Sequence, residues 1–114
     1  TETRKQVVNE LLTRLQTHPQ ITGVVCYNDQ IASSIVTRLQ ETGIRVPEDV
    51  SVIGNDNSTL SKIGRVKLTT LNHPKEQLGR DAAKWIVEAI ETGTEPDNLL
   101  YEPELIERES VKQL

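Results

Sequence analysis

The sequence predicts an α/β fold of three layers, α/β/α, built on a mostly parallel sheet. Three observations predict it. Short apolar runs rich in β-branched residues, Val50 to Ile53 above all, are bounded by turn residues and read as buried strands. Segments with apolar residues at helical spacing alternate with those runs, which implies βαβ units. The runs are also followed by polar residues, Asn28, Asp56 and His73. Right-handed crossovers would place all three at one edge of the sheet, where open α/β sheets bind ligands.

The elements follow in order. Residues 3 to 17 read as a helix with Val7, Val8, Leu11, Leu12 and Leu15 on one face. His18-Pro19 ends it, because a residue before proline is pushed out of the helical region. His18 then reads as a C-terminal helix residue rather than a ligand. Ile21 to Tyr27 is the next strand, with Cys26 as a small buried hydrophobe. Asn28-Asp29 opens a helix whose apolar face is Ile31, Ala32, Ile35, Val36 and Leu39, with Asp29 as N-cap or first-turn residue. Gly43 stops it. Val50 to Asp56 is the central strand, and Gly54 is expected to let the chain turn out of the sheet.

Asn57 to Lys67 reads as an irregular polar segment in which only Leu60, Ile63 and Val66 are apolar. Leu68 to Leu71 is a third strand, and Pro74 suits the first turn of a helix over 75–91. Its core face is expected to be Gly79, Ala82, Ala83, Ile86, Val87 and Ile90. Trp85, on a second stripe with Leu78, Ala82 and Ala89, reads as the rim of the core. Gly93-Thr94-Glu95-Pro96 is a turn, and Pro103 splits the tail into short edge or crossover strands.

Composition narrows the function. A chain of 114 residues makes one domain at most. It holds no Met, which suggests a piece of a longer protein. A net charge of −4 argues against nucleic-acid binding by this piece, since phosphate neutralisation needs clustered Lys and Arg. One Cys suits a reducing compartment and a cytoplasmic location. No apolar run approaches the length of a membrane span.

Asn28, Asp56 and His73 suit a neutral polyol. An ionised Asp accepts from two adjacent hydroxyls, Asn both accepts and donates, and a neutral His does one of each. A phosphorylated or dinucleotide ligand fits poorly, because the chain has no GxGxxG and no GxxxxGK run. No enzyme is expected, and no metal or cofactor. The sequence has no nucleophile elbow, and two His with one Cys are too few for zinc. Asp29 and Asp56 could form the carboxylate pair of a receiver-type phosphorylation site. That chemistry wants a basic residue at a later strand end, where Asn72-His73 stands.

Four ordered stretches carry a resemblance: Val25-Cys26-Tyr27-Asn28-Asp29-Gln30-Ile31-Ala32, Val46-Pro47-Glu48-Asp49-Val50-Ser51-Val52-Ile53-Gly54, Leu68-Thr69-Thr70-Leu71, and Pro103-Glu104-Leu105-Ile106 with Arg108-Glu109-Ser110. Together they resemble the sugar-sensing domain of the LacI/GalR repressors, whose periplasmic-binding-protein-like type I fold is shared with periplasmic sugar-binding proteins. The resemblance implies that residues 1–114 are the C-terminal part of the effector-binding domain, from its second lobe, with the first lobe and the DNA-binding head outside the chain. His73-Pro74-Lys75, with Leu78-Gly79 following, looks like the arabinose repressors of Gram-positive bacteria, which carry a GntR-type winged-helix head. The family usually has an aromatic where Asn55 stands, while the carboxylate is kept at Asp56.

By position, the resemblance implies that Asn28, Asp56 and His73 touch the sugar. It also implies a homodimer through Ser33, Val36 and Thr37 on one helix and through Leu60 and Ile63 in the loop after the central strand. Operator DNA would be read only by the head. A sugar-binding protein of a transport system is the alternative on the same fold.

Overall fold

The structure is a computed structural model that describes residues 2–95 and 97–114. Its elements run α1 (Glu2–Thr17), β1 (Gly23–Val25), α2 (Asp29–Glu41), β2 (Ser51–Ile53), α3 (Leu60–Ile63), β3 (Thr70–Asn72), α4 (Lys75–Thr92) and β4 (Glu104–Ile106). The chain has the periplasmic-binding-protein-like α/β fold. It divides into two compact units, residues 1–72 with 105–114, and residues 73–104. A single domain was the expectation from length.

In the first unit, β1 and β2 pair in parallel, with Gly23 opposite Ser51, Val24 opposite Val52 and Val25 opposite Ile53. A parallel bridge between Ile53 and Thr69 carries the ladder on towards β3, which itself pairs with β4. The strands are shorter than the apolar runs suggest. Beyond three residues each run bends away to make its loop, and single hydrogen bonds continue the pairing, such as Cys26 N to Ile53 O at 2.8 Å.

Helical periodicity buries most of its expected faces in α1 and α2, although Val7, read on the apolar face of α1, is 50% exposed. Val8, Leu12 and Leu15 of α1 are buried with Ala32, Ile35, Val36 and Leu39 of α2, above Val50, Val52 and Leu68. Gly43, with φ 82°, follows the C-cap Thr42 and ends α2 as a left-handed glycine does. His18 is exposed, and its N–H donates to Arg14 O at 2.8 Å, closing the end of α1. Cys26 is buried, and that burial, with the charge of Asp29 nearby, pushes its thiol pKa up to about 11.

Two expectations change. Asn57 to Lys67 is not wholly irregular, because Leu60–Ile63 forms a turn of helix. The apolar face read on 75–91 is not a core face: no residue of α4 is buried, and Ile86 and Ile90 are 62% and 79% exposed. Periodicity made this helix amphipathic, but the described residues of its unit leave that face in water. On its other side Asp81, Trp85 and Ala89 are half-buried, and the Tyr101 hydroxyl donates to the Asp81 carboxylate. Gly93, at φ 67°, caps the helix, and Pro96 of the expected turn lies outside the described residues.

Candidate functional site

The candidate site lies where β1 and β2 end. Both strands run the same way, so Asn28 and Asp56 leave the sheet at the same edge. Two bonds lock the strand ends together: Asp29 N donates to Asn55 O at 2.9 Å, and Asn55 Nδ2 to Tyr27 O at 3.2 Å. A third, Asp56 N to Leu71 O at 2.9 Å, ties the end of β2 to β3.

Asn28 takes the cap that Asp29 was a candidate for. Its Oδ1 accepts from Ile31 N at 2.9 Å, which satisfies one free donor of the first turn of α2. Asp29 is instead a buried first-turn residue, 1% exposed. Its Oδ1 accepts from the Thr70 hydroxyl at 2.6 Å and its Oδ2 from Ser58 N at 2.7 Å. A buried carboxylate needs such partners, and the N-terminus of α2 adds its favourable dipole. Asp29 is therefore the peg that joins α2, β3 and the loop after β2.

The same peg explains Gly54, and not by the turn it was expected to make. A Cβ built on Gly54 would lie 2.2 Å from Asp29 Oδ1. Glycine is needed there for space. The turn comes two residues later and is made by non-glycine residues, Asp56 at φ 102° and Asn57 at φ 50°. Left-handed backbone costs an L-residue on the order of 1–3 kcal/mol and gathers at functional sites.

Asn57 is held on every side. Its N–H donates to Thr70 Oγ1 at 3.2 Å, its Nδ2 to Asn72 Oδ1 at 3.3 Å, and its Oδ1 accepts from Arg108 Nη2 at 2.7 Å. Arg108 Nη1 also donates to Ser61 Oγ and to Leu68 O, at 3.0 and 2.9 Å. Sequence reasoning noted Arg108-Glu109-Ser110 as a motif but assigned it no role. His73, the third expected sugar contact, follows β3 and opens the second compact unit, where its carbonyl accepts from Lys75 N at 2.8 Å.

A second feature lies between α2 and α3. Ser33, Val36, Thr37 and Leu60 line one surface cleft of about 420 Å³, together with Arg65 and Val66. Four of the five residues expected at a dimer interface thus share one surface. Ile63 is not in that lining and is 64% exposed. Among the described residues no group of three or more His, Cys, Asp or Glu is placed to hold a metal ion. Among the described residues no helix is long and apolar enough to cross a membrane.

Parallel strands ending in a polar turn are common to many α/β proteins, so the family rests on the match of the whole chain. Residues 1–111 match the periplasmic binding protein-like domain. The chain belongs to that family. This periplasmic binding protein-like chain is 44% identical over 98 residues to the arabinose metabolism transcriptional repressor of Halalkalibacterium halodurans, covering 81% of itself and 26% of that protein. It is 42% identical over 95 residues to the HTH-type transcriptional repressor PurR of Vibrio cholerae, covering 82% of itself and 28% of the relative. Among solved structures, a transcriptional regulator CelR–cellobiose complex superposes with a TM-score of 0.85 at 34% identity, over 96% of this chain and 33% of that one. The fold is thus that of the effector domain of LacI-family regulators. The periplasmic binding protein-like chain spans less than a third of the length of these two curated relatives. Both are transcriptional repressors.

Proposed function

We propose that this chain is part of the effector-binding domain of a bacterial transcriptional repressor of the LacI type, and that its effector is a small sugar. Our choice of sugar is arabinose. The repressor named for arabinose metabolism shares 44% identity with the chain, and His73-Pro74-Lys75 resembles that subgroup. The observation that carries the reading is the turn at the end of β2, where Asp56 is held at φ 102° at the edge on which parallel sheets bind ligands. In this reading the Asp56 carboxylate accepts two sugar hydroxyls. Asn28 donates through its amide, its carbonyl oxygen being used by the cap, and His73 supplies a further contact. The first lobe and the DNA-binding head, of the GntR winged-helix type, lie outside residues 1–114. The repressor works in the cytoplasm as a homodimer paired through the α2–α3 cleft, and it meets operator DNA only through its head.

Asp56→Asn tests this. The change keeps the shape of the side chain, turns one acceptor into a donor and removes the charge. Charge-assisted hydrogen bonds are roughly twice as strong as neutral ones, so the loss should be about 2–4 kcal/mol, or roughly thirtyfold to several hundredfold in affinity. Titration of the full-length repressor and its variant with L-arabinose, beside a thermal melt, reads both affinity and folding. Near-normal affinity would mean that Asp56 only shapes its turn, as Asp and Asn do equally well.

A further inference from the structure

Two consecutive non-glycine residues with positive φ do not hold themselves. Each is stable only where its surroundings over-determine it. For Asp56 and Asn57 much of that restraint comes from a residue far along the chain, Arg108. The backbone of Arg108 is itself pinned, its N–H donating to Thr69 Oγ1 at 2.9 Å and that of Glu109 to Lys67 O at 2.9 Å. From this fixed base the guanidinium reaches the loop after β2 with both terminal nitrogens. Nη2 holds Asn57 Oδ1 at 2.7 Å, while Nη1 is fixed by Leu68 O and by the Oγ of fully buried Ser61. A planar fork with three partners defines a direction as well as a distance. An ammonium on a flexible stem would not.

We propose that Arg108 is a positioning residue of the sugar site: it clamps Asn57, and so holds the left-handed Asp56–Asn57 turn in the geometry that presents the Asp56 carboxylate. The inference rests on the reading of Asp56 as the acceptor of sugar hydroxyls. Arg108 itself touches no sugar in this scheme. It lowers the cost of binding, because the strained turn is already formed when the ligand arrives.

The test uses the full-length repressor, L-arabinose as the probe, and amide hydrogen exchange of the unliganded protein. Arg108→Ala should weaken binding on the order of tenfold to a hundredfold, the range that restoring a strained turn on each binding event implies. Arg108→Lys, which keeps the charge but not the fork, should weaken it nearly as much. The Asn57 and Ser58 amides should exchange faster in both variants, while Cys26 N, bonded to Ile53 O, stays protected. Adding Asn57→Gly to Arg108→Ala should recover part of the affinity, because glycine adopts positive φ without restraint. A residue that only staples the fold would lower the melting temperature without that rescue. If Arg108→Ala does not fold, Asn57→Ala removes the acceptor of Nη2, along with the bond to Asn72, while leaving Arg108 its bonds to Ser61 and Leu68, and carries the same expectation. Weakened binding by Asp56→Asn with unchanged binding by the Arg108 variants would overturn this inference and leave the site standing. So would unchanged exchange at Asn57 and Ser58. A wild-type protein that ignores L-arabinose, or an Asp56→Asn variant that binds it normally, would overturn the site reading and the inference with it.

Discussion

At the scale of single residues, the packing of Gly54 against Asp29 decides more than either residue's local propensity. The Asp29 carboxylate lies where a side chain on Gly54 would be, and its two oxygens are already committed to Thr70 and Ser58. An added methyl group cannot be accommodated by a small shift of a free side-chain end. It has to displace a buried charge from its donors. Gly54→Ala is therefore expected to destabilise the first unit by about 1–3 kcal/mol, the usual range for overpacking, or more if a hydrogen bond to Asp29 is lost. Thermal or denaturant melts of the variant check this. An unchanged midpoint would show that the Asp29 peg can move at little cost.

Among the elements, α2 and α4 make an instructive pair. Both carry an apolar stripe at helical spacing, yet α2 buries Ala32, Ile35, Val36 and Leu39 while α4 buries nothing. Periodicity specifies that residues share a face, and not what covers it. The cleft beside α2 is the element-scale feature that bears on assembly. Leu60 lines it and Ile63 is exposed on the same short helix, both in a segment otherwise polar. An exposed Ile63 beside a partly exposed Leu60 suits a self-complementary two-fold contact. Leu60→Glu combined with Ile63→Glu should make the full-length protein sediment as a monomer with its melting behaviour retained. A dimer that survives both changes would move the interface elsewhere, and Trp85 with its stripe on α4 would be the next candidate.

On the scale of the whole molecule, the proposed site has in Asn28 and Asp56 one wall with few aromatic surfaces, since the chain has no Phe, one Trp and two Tyr. Small-molecule sites are concave and bury most of their ligand. If L-arabinose is the effector, residues 1–114 alone are expected to bind it far more weakly than the full-length protein does. Calorimetry on both decides it, and micromolar binding by the 114-residue chain would show that one wall suffices.

The sequence by itself determined the parts of this protein that are written in short-range pattern. The alternation of strand and helix through the first 72 residues, short helix α3 apart, was legible because β-branched runs, helical spacing and turn residues act over a few positions. The place of Asp56 at the end of the central strand followed from the same signals, as did the burial of Cys26 and the left-handed stop at Gly43. Tertiary structure alone decided the rest. Asn28 rather than Asp29 caps α2 because Asp29 is drawn into bonds with Thr70, 41 residues away. Gly54 is there for space that only the packed Asp29 defines. Arg108 reaches Asn57 across 51 residues, a distance at which no periodicity or turn rule carries information. The apolar face of α4 is exposed for the same reason: a pattern sets what a helix can bury, and only the assembled chain sets what is there to bury it.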